Sequence, residues 1–178
     1  MKRFIGAAIL AVLFGLAANP IARVMADDTS DPATEGTKPP LPEKSAITGN
    51  SPDEIVKAAA KGTLRNPYTD DPEKIQEGRK LFLSYSCNGC HGGNGGGGMC
   101  PPLSNETWVY GSDDDTLFRL VALGSDQLQA AGYYRIGMEN VIGPMPPFGE
   151  LVKSDDELWK IIAFVRSIYN GDPKRRNW

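Results

Sequence analysis

An all-α domain is the fold this sequence predicts, and two observations predict it. No segment sustains the apolar/polar alternation of a strand, and several segments carry helix-start residues followed by apolar positions spaced at threes and fours. A third observation limits the size of the core. The chain has 178 residues, 40% of them hydrophobic, but 19 of the apolar ones fall in Met1 to Ala26. Setting that stretch aside lowers the apolar fraction to about 35%, enough for one domain with a thin core. It also removes three of the 19 basic residues and none of the 22 acids, so the formal charge moves from −3 to −6. Nucleic acid is thereby excluded as a partner, because a phosphate backbone selects a basic face.

Residues 1–26 have the parts of a signal peptide in order: Lys2 and Arg3, an apolar run from Phe4 to Ala18, and Val24-Met25-Ala26 before Asp27-Asp28. Fifteen apolar residues are short for a bilayer that needs about 20. The expectation is export, cleavage after Ala26 and a soluble periplasmic monomer with no membrane contact afterwards. Residues 27–69 are expected to be an extended segment, since Pro32, Pro39, Pro40, Pro42 and Pro52 interrupt a stretch poor in large apolar residues. Within it, Ser51-Pro52-Asp53-Glu54 supplies an N-cap, a first-turn proline and two acids, predicting a short helix to about Ala60 that adds little to the core.

The folded domain is expected over 70–173, opening with Asp71-Pro72-Glu73 and a helix to about Ser86 that carries Ile75, Arg79, Phe82 and Leu83. Further on, Ser112 is expected to cap a helix whose apolar face (Leu117, Leu120, Val121, Leu123) stops at Gly124. The last helix is the most clearly marked. Ser154 with Glu157 reads as a capping box, and Leu158, Ile161, Ile162, Val165 and Ile168 form its buried stripe up to Gly171-Asp172-Pro173. Residues 174–178 contain Lys174-Arg175-Arg176, a short basic tail read as a solvated end.

Between these helices lies Cys87-Asn88-Gly89-Cys90-His91. Two thiols three apart followed at once by histidine are the spacing that attaches a c-type haem. Each cysteine adds to one vinyl group, and the adjacent histidine is carried beneath the iron. A zinc site would need carboxylates to complete four ligands, since the chain has one histidine and one further cysteine, Cys100. A redox-active dithiol would want an alternating strand and helix pattern that is absent. Residues 92–98 hold six glycines in seven, but without the lysine and hydroxyl residue of a phosphate-cradling loop, so they are read as a tight turn beside the porphyrin. The carbonyl of Pro101 is placed to accept the ring N–H of His91.

A second histidine ligand is impossible within this chain. Met145, in Gly143-Pro144-Met145-Pro146-Pro147-Phe148-Gly149, sits in a stiff loop able to aim a thioether. Met99 lies too near the attachment motif, and Met138 lies in a softer loop. The expected set is therefore Cys87, Cys90, His91, Pro101 and Met145 around one covalent haem c, with His91 and Met145 on the iron. A filled sixth position favours one-electron transfer over substrate chemistry. A haem enzyme or gas sensor with labile Met145 is the alternative.

Gly78 and Phe82 on one helix, Cys87 to His91, Pro101, Met145, and a final helix bearing Ile161-Ile162-Ala163-Phe164-Val165 resemble class I cytochrome c over residues 70 to 171. The resemblance implies three main helices around the haem, the first and last crossing at Gly78, Phe82 and Phe164. Trp108-Val109-Tyr110-Gly111, Pro144-Met145-Pro146 and the ending from Val165 to Pro173 are similar to the cytochrome c-L group. That likeness implies an electron donor, a quinoprotein (PQQ) methanol or alcohol dehydrogenase, most similarly the lanthanide-dependent form, and a downstream cytochrome or terminal oxidase as acceptor. A general shuttle with another donor is the alternative. Cys100 departs from the glycine usual there and is expected to be buried and unpaired. Docking is expected around Cys87 to Cys90, the glycine loop and the segment Gly124 to Gly143, with Tyr133, Tyr134, Arg135 and Ile136 at the interface. The acidic balance predicts steering toward a basic partner and a rate that falls with salt.

Overall fold

A computed structural model of the chain describes residues 43–172, which belong to one of its two units, Pro39–Trp178. The signal segment, residues 27–42 and the basic tail lie outside the described residues. Among those described there are five helices and no strand: α1 (Pro52–Ala58), α2 (Pro72–Ser84), α3 (Asn88–His91), α4 (Asp114–Ala130) and α5 (Asp155–Ser167).

α2 and α5 cross at the core, and glycine allows the crossing. A Cβ built on Gly78 would stand 1.9 Å from the Lys160 carbonyl oxygen, so no side chain fits there. One turn on, Phe82 meets Phe164 edge-on, ring centroids 5.3 Å apart. Phe118 of α4 packs against Trp159 of α5 at 4.5 Å, and these four rings with Leu158, Ile161 and Ile162 form the buried centre. The α5 stripe differs from expectation at its end. Val165 and Ile168 are half-buried, whereas Trp159, Ala163 and Phe164 are buried, because two faces of α5 are covered.

The capping reads differ in detail. Ser51 and Glu54 make the reciprocal capping box of α1. At α4 the cap is Asp113, whose carboxylate accepts from Thr116 N–H at 2.9 Å, not Ser112, which is buried with its carbonyl accepting from Arg166. At α5 Ser154 accepts from Glu157 N–H, but the Glu157 carboxylate accepts from the Tyr85 hydroxyl instead of turning back. That box is half formed.

The segment before residue 70 also enters the core, and the folded part starts earlier than the helix signals indicate. Leu64 and Asn66 are 6% and 4% exposed. Acids in the first turns of α4 and α5 hold this segment by long-range bonds. Asp155 accepts from Thr48 N–H, Thr48 Oγ1 and Gly49 N–H, Asp114 from Asn66 N–H, and Asp115 from Leu64 N–H. Arg119, paired with Asp115 at 2.9 Å, donates to the carbonyls of Val56, Ala59 and Ala60 at the end of α1. A guanidinium there satisfies carbonyls that the helix leaves without partners.

Candidate functional site

α2 ends where Ser86 takes a left-handed φ of 58°, and Cys87 N–H turns back to the Phe82 carbonyl. This sharp corner starts α3, whose single turn sets Cys87 and Cys90 three residues apart on one side. Both thiols are free and half-exposed, and burial pushes that of Cys87 up to about 11. The glycine loop folds back on α3: Gly97 N–H donates to the His91 carbonyl and Leu103 N–H to that of Gly95. Cys100 N–H donates to the Cys90 carbonyl at 3.1 Å. Cys100 is therefore half-exposed beside Cys90, not buried as expected, because the loop returns along the outside of α3.

His91 Nδ1 lies 3.0 Å from the Pro101 carbonyl oxygen, the contact expected from the spacing. A carbonyl only accepts, so Nδ1 carries the proton and Nε2 keeps its lone pair. Burial lowers the His91 pKa, while the Pro101 contact opposes it, so the ring is held neutral. Neutral imidazole with one nitrogen tied is the form that binds a metal through the other.

Another wall of the site comes from a break in α4. Gly124 has φ 73° and ψ 169°, so the helix expected to stop there pauses and resumes to Ala130. The pause frees hydrogen-bonding groups, and the proline loop takes them. Phe148 and Gly149 N–H donate to the carbonyls of Val121 and Ala122, Ser125 N–H donates to the Met145 carbonyl, and Met145 N–H donates to Ser125 Oγ. A Cβ on Gly124 would stand 2.6 Å from the Met145 carbonyl oxygen. Met145 is thus fixed from both sides of its backbone.

His91, Pro101 and Met145 line one cleft, closed by Trp108, Leu117 and Val165. Trp108 donates its indole N–H to the Leu103 carbonyl, which aims its ring at the cleft wall. Met99 and Met138 are 56% and 96% exposed and do not line it. Arg135 and Glu139 stand at the cleft, with Arg135 Nη2 donating to the Glu139 carbonyl. Arg135 is the one cation lining it among the described residues, a suitable partner for the carboxylates of a porphyrin. An apolar slot, a neutral histidine, a thioether and one guanidinium fit a haem. Among the described residues no group of three or more His, Cys, Asp or Glu is arranged to hold a metal ion.

Arg135 and the Gly124–Ser125 break were the residues sequence reasoning missed as parts of this site. Gly124 had a signal, as a helix-stopping glycine, but nothing in the sequence showed what its break would receive. Tyr133, expected at the surface, instead donates its hydroxyl to Asp115 at 2.9 Å, and burial with that bond raises its pKa. Lys61 Nζ sits 3.9 Å from the Tyr133 ring centroid and donates to the Gly132 carbonyl.

Residues 73–165 match the family described as cytochrome C oxidase, cbb3-type, subunit III. The chain is 30% identical over 118 residues to cytochrome c-L of Methylorubrum extorquens, covering 65% of this chain and 51% of that protein. It is 30% identical over 100 residues to the cbb3-type cytochrome c oxidase subunit CcoP of Helicobacter pylori, covering 56% of this chain and 30% of that one. The chain thus spans about half the length of the first relative and under a third of the second. It is also similar to the crystal structure of cytochrome CL from Methylophaga aminisulfidivorans, with 24% identity, a TM-score of 0.48, and 80% and 77% of the two chains covered.

Proposed function

Because the chain belongs to the cytochrome family described as cytochrome C oxidase, cbb3-type, subunit III, and is a cytochrome c-L-like electron carrier that uses haem c, we propose a particular place for it. It carries single electrons in the periplasm from a PQQ-dependent methanol or alcohol dehydrogenase to a downstream cytochrome or terminal oxidase. One haem would be held through thioethers to Cys87 and Cys90, with His91 and Met145 as the residues that would bind its iron. The observation that carries this is a single apolar cleft lined by both a neutral, carbonyl-tethered His91 and a Met145 laced to α4.

When bound, haem supplies one-electron chemistry. The chain's residues do the rest. Pro101 holds the His91 ring in one tautomer and orientation, which raises the basicity of Nε2. The hydrogen bonds at Gly124 and Ser125 keep Met145 in place, so little rearranges when the charge changes. Trp108, Leu117 and Val165 exclude water, and thioether ligation in an apolar slot raises the reduction potential.

Stopped-flow mixing of the ferric protein with purified quinoprotein methanol dehydrogenase and its alcohol tests the donor. Second-order reduction is expected. No reduction, from a protein that a small-molecule reductant does reduce, would sink the donor assignment. A second reading, association with a terminal oxidase as electron supplier, is favoured by the likeness to the Helicobacter subunit.

A further inference from the structure

Cys100 and the glycine turn before it are parts of the attachment region that the electron-carrier reading leaves without a task. Gly92 takes a left-handed φ of 77°, and a Cβ there would stand 2.6 Å from the Gly97 carbonyl oxygen, so this turn closes only on glycine. It carries the chain back along α3. Gly97 N–H donates to the His91 carbonyl, and a Cβ on Gly98 would stand 3.0 Å from the Cys90 carbonyl oxygen. The turn thereby delivers Cys100 to Cys90.

Two contacts join the pair. Cys100 N–H donates to the Cys90 carbonyl at 3.1 Å, and the two thiols are hydrogen-bonded to one another. Covalent geometry then holds their Cα atoms within about 7 Å, the reach of a disulfide. Cys100 is half-exposed, so a reagent can reach it. The side chain of Cys87 packs against the hydrophobic core, which leaves Cys100 as the better-placed neighbour of the Cys90 sulfur.

We propose that Cys90 and Cys100 form a reversible disulfide in the haem-free chain, which has to be reduced before Cys90 can be joined to haem. The inference rests on the reading that Cys90 carries haem, and it adds a step that precedes electron transfer. A low-molecular-weight disulfide is the oxidant. Its S–S bond breaks and the Cys90–Cys100 bond forms, while the two electrons and two protons lost by the cysteines appear in the reagent's two thiols. A dithiol reverses the exchange. Attachment needs that reversal, because the S–H of Cys90 adds across a vinyl double bond and a disulfide sulfur has no hydrogen to give. Once the thioether has formed, Cys90 cannot pair again and Cys100 stays a thiol.

The full-length chain made without haem, equilibrated with reduced and oxidised glutathione and quenched by alkylation, tests the bond. Trypsin leaves all three cysteines in one peptide, Leu81 to Arg119, since no lysine or arginine lies between. Cyanogen bromide then cuts after Met99 and parts Cys100 from the other two. The fragments are expected to stay linked until a reductant is added, in wild type and in Cys87→Ala, and to separate in Cys90→Ala. Wild-type fragments that separate without reductant, or Cys90→Ala fragments that stay linked, overturn the proposal. At the glutathione ratio that oxidises half of the wild type, Cys100→Ser should hold less than about a tenth as much disulfide. Equal oxidation would make Cys87 the partner of Cys90 and overturn the proposal as well. Ferrous haem should attach covalently to the reduced chain at least about tenfold faster than to the oxidised one, read as haem retained through denaturing electrophoresis; equal rates overturn the control over attachment. Failure of the haem reading looks different. The holoprotein would then show three alkylatable cysteines where Cys100 alone is expected, while the fragment map still reports the pair.

Discussion

His91 shows what one residue's surroundings can decide. Its tautomer follows from a carbonyl ten positions on, which the sequence placed by spacing alone. The meeting of His91 with Pro101, and of both with Met145 at one cleft, was legible for the same reason, since each is a chemical type in a fixed local order, whereas Cys87 and Cys90 stand on α3 outside that lining. Arg135 was not, because its presence at the cleft depends on how the chain returns after α4. Met145→Ala should open the sixth position, remove the methionine-to-ferric charge-transfer band and lower the potential; an unchanged spectrum and potentiometric midpoint would displace Met145 as ligand. Gly124→Ala should act on the same bond indirectly. It forces a side chain into a left-handed conformation, at about 1–2 kcal/mol, and against the Met145 carbonyl. A lower melting temperature together with weakening of that band is expected, and a fall in melting temperature alone would mean that the loop tolerates the push.

Helices were readable as elements and less so as partners. Caps and apolar spacing give α2 and α5 to within a few residues, and Gly78, Phe82 and Phe164 mark their crossing. The docking of residues 43–69 was hidden because it depends on contacts 48 to 107 positions apart, made by acids that resemble ordinary first-turn residues. Asp115 is the test of that docking. Burial alone would raise its pKa, but bonds from Arg119, the backbone N–H groups of Gly62 and Leu64, and Tyr133 outweigh it and hold the carboxyl below its usual value. A depressed carboxylate contributes stability fully present above the unfolded value of about 3.9, and lost as pH falls through the folded one. The melting temperature should therefore drop between pH 5 and 3, less steeply in Asp115→Asn; parallel curves would assign the acid loss to other groups. Arg119→Ala, which strands a buried carboxylate and three carbonyls, should cost about 3–5 kcal/mol by denaturant titration.

For the molecule as a whole, apolar side chains gather between α2, α4 and α5 on one side of a cleft whose other side a porphyrin would fill. Cys87→Ala with Cys90→Ala should therefore remove covalent haem and, with it, cooperative unfolding; a haem-free variant that melts sharply would show that the helices suffice. The thin core inferred from composition is supplemented by Leu64, which the sequence assigned to an extended segment, and by the half-buried Ile55 and Val56 of a short helix expected to add little to it. At Gly124 the four hydrogen bonds between the loop and α4 separate two jobs along one stretch of chain. Met145 takes its position from a helix, while the span from Tyr134 to Ile142 is held separately, the N–H groups of Ile136 and Gly137 donating to the Val109 carbonyl. Its exposed side chains, Tyr134, Met138 and Ile142, stand apart from both sets of anchors. Substitution of those side chains would thus change the surface beside the cleft and leave the backbone that fixes Met145 as it is.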